Sequence, residues 1–334
     1  MTTSAVTATG PVPLGQLGRV LMHEHVLSLV PGGWLTGAAA DDRSALARTA
    51  LGGLGDASID TVVDLTTRAA PPSRAEALRR LAQQTGVGIV VGAGFYKAGH
   101  LPDWYERAAV DGLDGTTVRA GCFGELGTSL GQVTDAEARN LRAAARAHGR
   151  TGVAISTHCT VGTMGPEQVA LLDAEGVDLS RVVIGHQDLA ASPAPVIEVL
   201  EAGANVGLDT FGKEWFDYAV ASGEPGTEAR ASALRPAHAH TLKWACHRRD
   251  VDRIDLLVEL LDRGYGAQVV VSTDLLGREL HANAATHGSH GYRYLPEVVL
   301  PELRRRGVDA ATLDGLLVDN PARILGVTTV GAGW

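Results

Sequence analysis

Eight apolar runs of strand length, most followed by a stretch with helical spacing, leave this chain few folds to adopt. The runs are residues 19–25, 61–66, 88–96, 119–127, 153–158, 181–186, 204–209 and 268–274. Helical patterns lie at 42–54, 73–85, 103–110, 135–148, 166–175, 195–201 and 251–261. Some carry boundary signals: Ser73 and Thr134 are placed to cap helices, and Gly86 follows Thr85 as a stop. Strand and helix alternating with no composition break or low-complexity linker predict one parallel α/β domain over residues 1–334. The count favours the closed (β/α)8 TIM barrel. An open doubly wound sheet is the alternative, but Gly92-Ala93-Gly94 lacks the third glycine and the following helix of a dinucleotide fingerprint.

Composition removes several function classes. The 334 residues are 45% hydrophobic, 20% charged and 4% aromatic, an ordinary globular balance with length enough for a large core. Net charge is −9, and basic residues gather only in Arg79-Arg80, Arg248-Arg249 and Arg304-Arg305-Arg306, so no nucleic-acid footprint is present. Cys122, Cys159 and Cys246 are odd in number and far apart, against a disulfide framework and consistent with a reducing compartment. The first fifteen residues, MTTSAVTATGPVPLG, have neither a basic n-region nor an apolar h-region. No apolar run approaches the roughly 18 residues of a membrane helix. The expectation is a cytoplasmic protein acting on a small molecule, with no nucleic-acid or membrane partner and compatible with a homodimer.

The polar residues at strand ends carry the chemistry. The first strand ends in His23-Glu24-His25, where alternation sends both imidazoles to one side, an arrangement suited to a divalent metal ion. The fourth ends at Glu125, the fifth at His158, the sixth at His186 and the eighth at Asp274. In a (β/α)8 barrel these C-terminal ends share one face, the face that holds the active site. A lone strand-end histidine or aspartate commonly caps a helix or bonds to backbone. Six such residues at the ends of five strands point instead to a metal centre.

These motifs resemble the phosphotriesterase family of the amidohydrolase superfamily, almost end to end. The likeness runs from Thr9-Gly10-Pro11 and Leu17-Gly18-Arg19-Val20 through Leu21-Met22-His23-Glu24-His25, Thr157-His158 and Gly185-His186 to Asp319-Asn320-Pro321-Ala322-Arg323. It implies two divalent ions, for which zinc suits the donor set best. On that pattern His23, His25 and Asp274 bind the more buried ion, His158 and His186 the more exposed one, and a carboxylate bridges them. Well-studied organophosphate hydrolases and lactonases of the family carry a carboxylated lysine there. Here it is Glu125, as in the phosphotriesterase homology proteins, and its two oxygens can span two cations without a carbon dioxide adduct.

The resemblance implies hydrolysis by a metal-bridging hydroxide, since water bound between two cations loses its proton near neutral pH. Asp274 is the catalytic residue expected to pass that proton to the leaving group. The expected bond is a carboxylic amide, ester or lactone. Hydrolysis of a phosphotriester or other phosphoester is the alternative reaction, and a non-catalytic metal-binding barrel is the alternative class. Substrate contacts are expected from Tyr96, at the end of the third strand, and from Lys213, which could meet an anionic group or simply be solvated. Thr210 stands beside Asp209 where family lactonases usually have arginine, and it opens a connection of roughly three dozen residues, unusually long for a barrel. Gln187 and Asp188 could orient the centre from behind. His281, His287 and His290 are expected to be loop polar groups.

Overall fold

The computed structural model describes residues 2–27, 40–67, 74–97, 103–213, 215–216, 245–246, 248–275 and 290–329. Eight strands form one sheet in sequence order: β3 (Val20–Glu24), β4 (Thr61–Asp64), β5 (Gly88–Ala93), β6 (Cys122–Thr128), β7 (Ala154–Cys159), β8 (Val182–Ile184), β9 (Asn205–Leu208) and β12 (Val269–Val271). All their pairings are parallel. First and last elements meet beyond β12, where Asp274 N donates to His23 O at 3.0 Å and His25 N to Leu275 O at 3.2 Å. The expected barrel is present, and the open sheet is excluded.

Strands of this kind are buried on both faces, which is why they read as continuous apolar runs. Their residues split by alternation into two layers. Val20, Met22, Val63, Val90, Cys122, Ala154, Val183 and Val270 fill the interior. Leu21, Val62, Ile89, Phe123, Ile155, Ile184 and Val271 pack outward against the helices. Those helices are α1 (Ala40–Gly52), α2 (Arg74–Thr85), α3 (Trp104–Val110), α4 (Asp135–Thr151), α5 (Gly165–Ala174), α6 (Pro193–Glu201) and α7 (Asp250–Asp262). Thr134 caps α4 in a full capping box with Glu137, and Gly86 follows α2 at φ 75°. The expected cap Ser73 lies outside the described residues.

Three features depart from expectation. An N-terminal hairpin, β1 (Thr2–Thr7) and β2 (Gly10–Pro13), pairs with β13 (Val327–Thr329) at the other end of the chain. Ala5, Leu17, Ile324 and Leu325 join the interior layer there and close the barrel end opposite the histidines. Residues 295–305 and 310–325 are helical, beyond the patterns read from sequence. β8 and β12 stop short of their apolar runs, and His186 (φ 58°) and Asp274 (φ 45°) beyond them lie in left-handed backbone, whereas β6 runs on to Thr128, past the expected end at Glu125. Most of the long connection after β9 lies outside the described residues; β10 (Trp215–Phe216) pairs within it with β11 (Ala245–Cys246). Among the described residues no helix is long and apolar enough to cross a membrane.

Candidate metal centre

Two β-bulges aim the first candidate ligands inward. Val20 and Met22 face the interior, so plain alternation would turn His23 and His25 outward. The β3–β4 register shifts between Leu21 and Glu24, one extra residue on β3, and both imidazoles face the centre instead. The same happens on β6, where Cys122 is interior and the register against β7 shifts between Phe123 and Leu126, bringing Glu125 in. His158 needs no such correction, being in phase with Ala154 on β7.

The donor atoms converge in two sets. His25 Nε2 lies 2.9 Å from Asp274 Oδ1, and His23 Nε2 lies 3.8 Å from that oxygen. His158 Nδ1 lies 3.1 Å from Glu125 Oε2 and 2.7 Å from His186 Nε2. Glu125 stands between them, Oε1 at 3.7 Å from His25 Nε2 and Oε2 at 3.4 Å from His23 Nε2. His23, His25 and Asp274 could hold one ion, and Glu125, His158 and His186 another. Nitrogen and oxygen donors at about 2.0–2.2 Å from a tetrahedral ion sit about 3.3–3.6 Å apart, within the spread seen here. His23 Nε2 is fully buried without an aligned hydrogen-bond partner among the described residues, which a cation would satisfy.

Asp209, at the end of β9, fixes the tautomers. Its Oδ2 accepts from His23 Nδ1 at 3.0 Å and its Oδ1 from His186 Nδ1 at 2.7 Å and from His186 N at 2.9 Å. A carboxylate only accepts, so both Nδ1 atoms carry hydrogen and both Nε2 lone pairs face the centre. Burial would lower both histidines, but the Asp209 charge outweighs it and raises them. Asp209 is itself depressed by those histidines against its burial. Burial, with the neighbouring His186 charge, pushes His158 down to about 4. Glu125 and Asp274 are buried, which opposes ionisation, yet His25 beside the first and Lys213 beside the second hold both well below the usual carboxylate range.

Of the other expected residues, Tyr96 is exposed and its hydroxyl lies 2.8 Å from His158 Nε2. Lys213 is not solvated. It is 2% exposed and its Nζ donates to Asp274 Oδ2 at 2.6 Å. Gln187 turns back to Gly185 O, and Asp188 accepts from Thr210. His290 pairs with Glu297 at 2.5 Å, while His281 and His287 lie outside the described residues. Sequence reasoning missed the role of Asp209, although it occupies the same strand-end position as the candidate ligands. It also missed Glu24, pushed up to about 7 by burial, which accepts from Ser272, Thr273 and Leu275 and so ties down the segment bearing Asp274.

The family model described as the phosphotriesterase family matches residues 3–325. The chain belongs to the phosphotriesterase family. It is 32% identical over 277 residues to the phosphotriesterase homology protein of Escherichia coli (strain K12), covering 79% of this chain and 83% of that one. It is 28% identical over 279 residues to the N-acetyltaurine hydrolase of Dictyostelium discoideum, covering 79% of this chain and 68% of that one. Among solved structures, a mutant phosphotriesterase-like lactonase of Deinococcus radiodurans superposes with a TM-score of 0.79 at 28% identity, over 97% of this chain and all of the other. The chain is a binuclear metal-dependent hydrolase acting on small molecules, and the non-catalytic alternative falls away.

Proposed function

We propose that the site hydrolyses a carboxylic amide, ester or lactone bearing a negatively charged group, with zinc held by His23, His25 and Asp274 and by His158 and His186, and Glu125 between them. Lys213 carries the reading: it is a buried ammonium set 2.6 Å from Asp274, at the edge of the donor cluster. A fixed cation in a site poor in water attracts an anion far more strongly than one in solvent. N-acetyltaurine, the substrate in the name of several relatives, joins such an amide to a sulfonate. Glu125 in place of a carboxylated lysine supports a reaction other than triester hydrolysis.

Two divalent ions held there would supply an activated water and polarise the scissile carbonyl. The chain's own groups do the rest. Asp274 takes up a proton and releases it to the leaving nitrogen or oxygen. Asp209 keeps the His23 and His186 rings in the tautomer and orientation that present Nε2. Tyr96 holds His158 from its far side, turning Nδ1 toward Glu125, and Lys213 receives the anionic group.

Zinc-loaded protein assayed on N-acetyltaurine, N-acetyl-β-alanine, γ-lactones and aryl phosphotriesters tests this. Amides or lactones should turn over well above the triesters, and Lys213→Met should raise KM for the charged amides. A triester as the best substrate would overturn the proposal.

A further inference from the structure

The connection leaving β9 begins as a tight turn. Lys213 N donates to Thr210 O at 3.0 Å, and Gly212 takes φ 85°, a conformation that side chains resist. The turn's backbone and the Thr210 hydroxyl bond to the first turn of α7 and to Asp188, while the Lys213 ammonium reaches Asp274. Arg253 Nη2 donates to Lys213 O at 3.2 Å and its Nε to Thr210 Oγ1 at 3.1 Å, so one guanidinium grips both ends. Asp250 accepts from Gly212 N at 3.0 and 3.1 Å, while Arg253 Nη1 donates to Asp250 at 2.7 Å and to Arg248 O at 2.8 Å. Asp188 Oδ2 accepts from Thr210 N at 3.0 Å and Thr210 Oγ1 at 2.7 Å, and lies 3.2 Å from Arg253 Nε. Arg253 and Asp188 have no exposed surface.

A fully buried arginine is weak evidence for stability, because apolar replacements of such networks are often as stable. Its placement here has a different consequence. The lysine that meets Asp274 sits on a four-residue turn whose two ends are fixed by a rigid planar fork.

We propose that Arg253 is a positioning residue for substrate recognition: it holds the 210–213 turn so that the Lys213 ammonium stays fixed at the centre. This rests on the reading of Lys213 as the receptor for the anionic group. Pre-organisation of this kind lets the cation contribute to binding without first being ordered. The effect belongs to charged substrates only.

The test uses zinc-loaded protein and the ratio of kcat/KM for N-acetyltaurine to that for uncharged N-propylacetamide. Arg253→Met should lower the ratio about 10–100-fold, the weight of one hydrogen bond to a charged group, through KM rather than kcat. In a Lys213→Met background it should have no further effect on the ratio. Arg253→Lys and Thr210→Val, which each remove part of the grip, should give intermediate values if Arg253→Met folds poorly. Lys213 acetylation by limiting acetic anhydride, followed by peptide mass spectrometry, reads the same grip without turnover and should speed up in all three variants. An unchanged ratio and unchanged labelling, with only a lower Tm, would make Arg253 purely structural and refute the proposal. A wild-type ratio untouched by Lys213→Met would refute the reading of Lys213 itself, and the labelling rates would still decide whether Arg253 holds the turn.

Discussion

Replacing Asp209 with alanine removes one carboxylate from behind two candidate ligands that belong to different donor sets. His23 Nδ1 is 3.0 Å and His186 Nδ1 2.7 Å from its oxygens, and the residue is 1% exposed, so water does not replace it readily. Loss of an outer partner of a metal-bound histidine weakens metal binding by about 10–100-fold. Because each set loses one partner, both affinities should fall by that factor together. Asp209→Asn should behave differently. Its carbonyl oxygen can accept from one ring, but its amide must face the other ring's Nδ1–H, so the two losses become unequal. The two zinc affinities are measured by competition with a chromophoric chelator, and metal per chain by mass spectrometry. The metal-free fold is checked by circular dichroism, since two unpaired buried N–H groups cost about 1–3 kcal/mol each. Unchanged affinities in Asp209→Ala, with the fold intact, would refute the shared support; a loss confined to one ion would refute its symmetry.

Glu125→Gln removes an anionic oxygen from between the donor sets and should lose metal, while wild-type loading should not depend on bicarbonate; full metal content and activity in the variant would exclude Glu125 as the bridge. Asp274→Asn keeps an oxygen donor but cannot take up the proton, so kcat should fall about 10²–10⁴-fold, more than metal content does; near-normal kcat would remove Asp274 from the chemistry. Asp209 raises His23 and His186 despite their burial, so near neutral pH both hold more proton without metal than ordinary histidines do. Zinc binding should therefore release protons, and the release should shrink as pH rises through their raised values; calorimetric enthalpies identical in buffers of different ionisation heat would contradict this. In Gly185→Ala the new Cβ would lie 2.3 Å from Thr157 O, so His186 must shift and metal per chain should drop, whereas unaltered loading would show that the strand end can yield.

The barrel was legible because its strands, buried on both faces, read as apolar runs and its helices repeat at helical spacing, α4 with a capping box besides. Boundaries were less so. The run 181–186 is apolar up to its end, yet the strand stops at Ile184, because His186 leaves the sheet in a left-handed conformation that histidine tolerates better than most side chains. Asp274 departs β12 in the same way. The hairpin of β1 and β2 was not legible, since TTSAVT has little alternation of its own. Its third strand, Val327–Thr329, is more than three hundred residues away, a pairing no local pattern reports.

At the centre, residue type and strand end picked out the six side chains, but strand alternation alone would have aimed three of them wrongly. With Val20 and Met22 inside, His23 and His25 come inward only through an extra residue in β3, and Glu125 only through another in β6. A bulge is a property of two paired strands, so neither can be read from the strand that carries it. Asp209 shows the complementary limit. It follows the last residue of β9 much as His158 lies next to the last of β7, yet its oxygens meet the Nδ1 side of His23 and His186 while their Nε2 atoms lie 3.4 and 3.9 Å from Glu125 Oε2. The chain encodes candidate ligand and support with the same residue types at neighbouring places. What separates them is which edge of an imidazole each carboxylate reaches.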